Sequence, residues 1–279
     1  MKTVDMLKKR MLEHDTLVCC GLDPDILKLP QEIVKKNCSD EKKAYEFLTE
    51  VIDITAPYVC GYKAQKAFFD LLPEGHNLIK TIIKYVHDRH QGIPVLVDCK
   101  IGDTENTMQA YTQNLFDLMR ADGIIINPYM GDDIFDRLVG YPDKAIVVLV
   151  KTSNKGGSIV QDMTTESGNK VWEVILDLVI NRWNSSGNMI PVISSTVNLN
   201  LKKIREVIPD EMPILFAGVG AQGGSYDDLY YLLNSQKSGV FVNSSRGILY
   251  PQHEENKIWQ ELVKEQVIRL KEDLNKYRR

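Results

Sequence analysis

Short apolar, β-branched runs recur along the chain, each closed by Gly, Pro, Asp, Ser or Lys and each followed by a stretch long enough for an amphipathic helix. Eight are present: Leu17–Asp23, Val59–Gln65, Pro94–Lys100, Gly123–Pro128, Ala145–Ser153, Ile190–Ser195, Pro213–Gly220 and Gly239–Ser245. Between the first two, Ala44, Phe47, Leu48, Val51 and Thr55 fall at the i, i+3, i+4, i+7 spacing of a helix with one buried face. Gly75–His90 and Thr104–Arg120 read the same way. Runs such as Pro94-Val-Leu-Val and Ala145-Ile-Val-Val-Leu-Val are nearly continuous in apolar residues, as parallel strands covered on both faces are. Eight β-then-α units in 279 residues predict an α/β chain folded as one (β/α)8 TIM barrel over residues 1–279. A doubly wound open sheet is the alternative that strand counting leaves open. No linker, low-complexity tract or second domain interrupts the pattern. The longest irregular stretch, Thr152–Thr165, holds Gly156 and Gly157 and reads equally as a mobile lid or a plain surface loop.

Composition narrows the class. The chain is 43% hydrophobic and 26% charged, an ordinary globular balance, with a net charge of -4. Its lysines and arginines are spread out instead of forming a basic stripe, which argues against a nucleic-acid partner. Met1–Glu13 has no apolar run before a small-residue cleavage site, so it does not read as a signal peptide. No apolar stretch reaches the roughly 18 to 20 residues of a membrane span. The five cysteines, Cys19, Cys20, Cys38, Cys60 and Cys99, include no Cys-x-x-Cys pair, and a reducing cytoplasm fits them best.

Catalytic groups of a (β/α)8 barrel sit at the carboxyl ends of its strands. Three strand ends here carry charge: Gly21-Leu22-Asp23, Tyr62-Lys63-Ala64-Gln65 and Asp98-Cys99-Lys100-Ile101-Gly102-Asp103. Strand alternation places Asp98 and Lys100 on one face, pointing into the barrel mouth. A structural ion pair with a snorkelling Lys63 would explain them without function, but buried pairs are a doubtful source of stability, and three charged strand ends favour a site. Gly218-Val219-Gly220-Ala221-Gln222-Gly223 mimics a dinucleotide fingerprint but follows the seventh run, not the first. With Ser245-Arg246-Gly247 after the eighth run it is better read as a phosphate site, where loops 7 and 8 of barrel enzymes bind the anion and Arg246 adds a charged fork. The bland reading is a tight glycine turn. His87 and His90 lie one helical turn apart among Lys84, Asp88 and Arg89, a solvated helix end more than a metal pair. No histidine falls at a predicted carboxyl strand end, so a hydrolytic triad is disfavoured. Cys19 and Cys20 are read as packing residues.

Taken as a set, these residues resemble the orotidine 5'-monophosphate decarboxylase family. Asp98-Cys-Lys100-Ile-Gly-Asp103-Thr-Glu-Asn-Thr107 is similar to that family's D-x-K-x-x-D-x-x-N-T signature. Gly21-Leu-Asp23-Pro, Tyr62-Lys63, Lys151-Thr-Ser-Asn, Gly218-Val-Gly-Ala-Gln222-Gly and Ser245-Arg246-Gly follow in the family's order, from Gly21 to Gly247. The Lys-Thr-Ser-Asn and Gly-Ala-Gln-Gly forms look like the branch containing many bacterial and protozoan enzymes. The resemblance implies that Lys100 protonates C6 of the pyrimidine as carbon dioxide leaves, with Asp98 beside the departing carboxylate. It implies that Asp23 and Lys63 hold the ribose hydroxyls, Ser153 the pyrimidine edge, and Gln222, Gly223, Arg246 and Gly247 the 5'-phosphate. Gln65, grouped with the substrate-binding residues, stands where the family carries histidine or asparagine. Asp103 and Thr107 would reach the neighbouring subunit's site, which makes the enzyme a homodimer with no cofactor and no metal.

Two enzyme rivals share the barrel: a magnesium-dependent sugar-phosphate decarboxylase, which lacks the strand-two lysine, and a Schiff-base aldolase, which needs a lysine at a strand end. A non-catalytic phosphate-binding barrel is the third alternative, since a fold does not dictate a function.

Overall fold

The computed structural model describes residues 1–195, 199–218, 226–254 and 256–278. Eight parallel strands form a closed barrel in sequence order: β1 (Val18–Gly21), β2 (Gly61–Gln65), β3 (Val95–Ile101), β4 (Gly123–Ile126), β5 (Ala145–Leu149), β6 (Met189–Ser194), β7 (Ile214–Ala217) and β8 (Val240–Ser244). Closure comes from β1 pairing with β8, Val18 opposite Val242 and Cys20 opposite Ser244. The open-sheet alternative is thereby excluded. Residues of β1, β4 and β6 are buried throughout, which is why these strands read as apolar runs without alternation.

The helix Asp40–Thr55 buries the predicted stripe of Ala44, Phe47, Leu48, Val51 and Thr55, and starts where Ser39 Oγ accepts from the Lys42 N–H. Gly75–Arg89 is helical as its spacing predicts. The third predicted helix is continuous in outline, but its second half, Gln113–Leu118, winds as a π-helix after the α-helix Glu105–Thr112. Thr152–Thr165 is more ordered than an irregular loop: it contains a 3-10 turn, Lys155–Gly157, and a short helix, Ser158–Gln161.

One element escapes a reading confined to strand and helix alternation. The helix Thr3–Glu13 spans the amino ends of the strands, burying Val4, Leu7 and Met11. Its Thr3 Oγ1 donates to the carbonyls of Asp122 and Asp143, at 2.7 and 3.0 Å, and Arg10 donates to the carbonyl of Val59. The barrel floor is thus held shut, leaving its opposite end for chemistry. Among the described residues, no helix is long and apolar enough to cross a membrane.

Candidate active site

The carboxyl ends of the strands open into a cleft of about 960 Å³. Its wall includes Asp23, Lys63, Gln65, Asp98, Lys100, Ser153, Arg246 and Gly247. Eight predicted site residues from five separate stretches of sequence therefore converge. Gln222 and Gly223 lie outside the described residues, although Gly218, which precedes them with φ +89°, lines the cleft.

At the centre is the Asp98 carboxylate, only 7% exposed. Lys100 Nζ donates to its two oxygens at 2.7 and 2.8 Å, and Lys63 Nζ, on a residue also 7% exposed, donates to Oδ2 at 3.3 Å. Gln65 Nε2 donates to Oδ2 at 3.0 Å, the fourth contact to the carboxylate. The group carries two ammoniums against one carboxylate. At an effective dielectric of about 20, each close pair attracts by roughly 5 kcal/mol before desolvation is subtracted, so the side chains are tightly coupled.

Asp98 and Lys100 do meet, but the simple alternation expected of β3 is not the reason. Asp98 pairs with Ile125 and Ile101 with the next residue, Ile126, so β3 bulges between them. Lys100 sits in this bulge with φ +46°, a left-handed conformation that costs an L-residue about 1–2 kcal/mol. Its side chain returns to Asp98 from there. Backbone strain of this kind gathers at functional sites. The glycine that follows is dictated by crowding: a Cβ on Gly102 would lie 2.1 Å from the Asn127 carbonyl oxygen. Gly21 is constrained in the same way, with Ser245 Oγ 1.9 Å from where its Cβ would be.

Several supporting residues, Tyr250, Gln161 and Asp162 among them, carry no motif. Tyr250 Oη accepts from the Asp25 N–H at 2.7 Å and donates to the Asp23 carbonyl at 2.9 Å, pinning the loop that presents Asp23. Burial raises its phenol pKa, which keeps the hydroxyl protonated to do so. Lys151, 1% exposed, pairs with Asp162 at 2.8 Å, and that hydrogen bond holds the Asp162 carboxyl below its usual range. Gln161 accepts from the Thr152 N–H and donates to Thr152 Oγ1. Together these contacts tie the segment carrying Ser153 back onto itself. Their partners are nine and eleven residues apart, a spacing that no periodic pattern announces.

The remaining sequence expectations fall away from the cleft. Asp103 is half-buried, its Oδ1 accepting from the Thr104 N–H, and Thr107 is exposed; neither lines the cleft of its own chain. Thr104 occupies the cap position of the helix Glu105–Thr112. His87 and His90 bond to different carboxylates, Asp122 and Asp53, and so do not converge. Cys19 and Cys20 are buried, and burial pushes the Cys19 thiol up to about 12. Among the described residues, no group of three or more His, Cys, Asp or Glu is placed to hold a metal ion.

Residues 16–258 match the family described as Orotidine 5'-phosphate decarboxylase / HUMPS. An orotidine 5'-phosphate decarboxylase of Dechloromonas aromatica is 36% identical over 251 residues, 90% of each chain. One from Cupriavidus metallidurans is 33% identical over 279 residues, covering 100% of this chain and 99% of the relative. The solved OMP decarboxylase of Leishmania donovani superposes with a TM-score of 0.80 at 30% identity, covering 100% of this chain and 99% of that one. Bacterial and protozoan relatives are those to which the Lys-Thr-Ser-Asn and Gly-Ala-Gln-Gly forms point. With a closed barrel, a two-lysine carboxylate cluster at its mouth and relatives matched over nearly their full length, the chain belongs to the orotidine 5'-phosphate decarboxylase family.

Proposed function

We infer that this chain, acting as one barrel domain over residues 1–279 in the cytoplasm, decarboxylates orotidine 5'-monophosphate to uridine 5'-monophosphate. The observation that carries the mechanism is the Asp98 carboxylate bound by both Lys63 and Lys100 inside the cleft. In the reaction, the bond between C6 and the carboxylate carbon breaks, carbon dioxide departs, and its bonding pair stays on C6. Lys100 delivers the proton to that carbon. Asp98 lies beside the departing carboxylate, Asp23 and Lys63 hold the ribose hydroxyls, and Ser153 meets the pyrimidine edge. Arg246, exposed in the cleft wall and without an ion-pair partner among the described residues, binds the 5'-phosphate with Gly247, Gln222 and Gly223.

Magnitudes decide which effect dominates. Two carboxylates about 4 Å apart at an effective dielectric of about 20 repel by roughly 4 kcal/mol, at most about three powers of ten in rate. Repulsion from Asp98 is therefore a minor contribution. The larger one is the stabilisation of charge developing at C6 by preorganised ammoniums in a water-poor site. Phosphate binding adds energy from a part of the substrate remote from the reacting carbon.

The same geometry disfavours the rivals. An ammonium stands against Asp98 where a magnesium-dependent decarboxylase would need its cation, and both lysines are engaged with that carboxylate, whereas imine formation needs a free amine. Incubating the protein with orotidine 5'-monophosphate and a chelator, while following the pyrimidine absorbance, tests substrate and metal independence together. Turnover that the chelator abolishes would refute the metal-free reaction.

Catalysis is proposed to need a homodimer, with Asp103 and Thr107 crossing into the partner's site. Their position outside their own cleft supports this arrangement. Mixing inactive Asp103→Ala with inactive Lys100→Ala should restore roughly one quarter of the wild-type rate, because about half the dimers are mixed and each has one intact site of two. No recovery despite demonstrated subunit exchange would contradict it.

A further inference from the structure

The surroundings of Gln65 assign it a task. It ends β2 in register with Asp98 on β3. Its main-chain N–H donates to Asp23 Oδ1 at 3.1 Å, and its side-chain Nε2 donates to Asp98 Oδ2 at 3.0 Å. A carboxylate offers about four lone-pair sites. Three donors converge on Asp98 Oδ2, namely Lys100, Lys63 and the Gln65 amide, while Lys100 alone reaches Oδ1. The lysines are point charges on flexible stems that are themselves needed by the substrate; the amide is a directional donor on a short stem fixed at both ends.

We propose that Gln65 is a positioning residue for the decarboxylation: its neutral amide fixes the Asp98 carboxylate while its backbone fixes Asp23, setting the reacting end of the site against the sugar end. The proposal rests on the charge-cluster mechanism given above. A neutral donor suits this position because a third cation would overcompensate one carboxylate already facing two ammoniums. An amide also keeps its donor at every working pH.

The test uses Gln65→Ala and Gln65→Glu in the full-length protein, with kcat, KM and uridine monophosphate affinity measured across pH. Alanine deletes a hydrogen bond to a charged group, so kcat should fall on the order of tenfold to a hundredfold, with product affinity changed less than about threefold. Glutamate has nearly the same shape. Protonated, its O–H replaces the amide donor; ionised, it sets a carboxylate against a carboxylate. The charged groups around it are Asp23 after β1, Lys63 on β2, and Asp98 and Lys100 on β3, and Asp98 is the direct contact, so the new carboxyl should titrate above its ordinary value. Gln65→Glu should approach wild-type kcat at acid pH and lose it as pH rises, a limb absent from the wild type and from Gln65→Ala. Should Gln65→Ala not fold, Gln65→Glu at acid pH still carries the test.

A Gln65→Glu profile parallel to the wild type overturns the proposal. So does a Gln65→Ala protein with unchanged kcat and product affinity weakened as much as kcat/KM, which would make Gln65 a plain ligand. Lys100→Ala, measured beside them, separates the two levels: wild-type turnover there defeats the cluster mechanism itself, whereas an inactive Lys100→Ala with indifferent Gln65 variants defeats only the positioning role.

Discussion

Replacing Lys100 by alanine and by glycine should separate the cost of its backbone from the loss of its ammonium. Both substitutions remove the same contacts to Asp98. They differ in what they do with φ +46°. Alanine keeps a Cβ in the left-handed region at about 1–2 kcal/mol, a cost that glycine escapes. Glycine in turn gives back about 0.5–1 kcal/mol through the greater entropy of its unfolded chain. Taken at their midpoints the two effects favour Lys100→Gly by about 0.75 kcal/mol, and in a domain of this size each kcal/mol moves the melting temperature by about 2–4 °C. Calorimetry should therefore find Lys100→Gly melting about 1–4 °C above Lys100→Ala, while both lose most turnover. An alanine variant as stable as the glycine variant, or more stable, would refute the view that a strained bulge in β3 aims this lysine.

Arg246→Ala should weaken both orotidine and uridine monophosphates, because both carry the phosphate assigned to this guanidinium; equal binding of uridine and uridine monophosphate by the wild type would show the assignment to be wrong. Asp162→Asn should lower the melting temperature near neutral pH by releasing Lys151. Since the Asp162 carboxyl titrates below its unfolded value, the pair's contribution is full above the ordinary carboxylate value and is lost as pH falls from there through the lowered folded-state value. The difference between wild type and Asp162→Asn should therefore shrink toward zero below about pH 4, and a difference constant with pH would contradict the pairing.

The barrel was legible because each strand is covered on both faces and each helix on one, so burial wrote itself into apolar runs and stripes. Asp23, Lys63, Asp98 and Arg246 were legible as cleft residues because a barrel gathers the carboxyl ends of its strands at one mouth. The bulge was not: a register shift in β3 depends on how β4 packs beside it, and alternation reached the right pairing of Asp98 with Lys100 by the wrong route. Tyr250 was invisible for a related reason, since it bonds to Asp23 across 227 residues and only barrel closure brings them together. The floor helix could have been found from Val4, Leu7 and Met11, whose spacing is that of a buried stripe. The pairing of Lys151 with Asp162 leaves no such trace, because an ion pair closing a loop has no period.

Turnover of orotidine 5'-monophosphate by Lys100→Ala beside the wild type, in chelator, with uridine monophosphate affinity measured on the same samples, tests the central claim most directly. The wild type should decarboxylate the nucleotide. The variant should lose on the order of 10²–10⁴-fold or more in kcat, since proton delivery and charge stabilisation at C6 are both removed, yet bind uridine monophosphate within about threefold of the wild type. A folded Lys100→Ala protein with near-normal kcat would contradict the account.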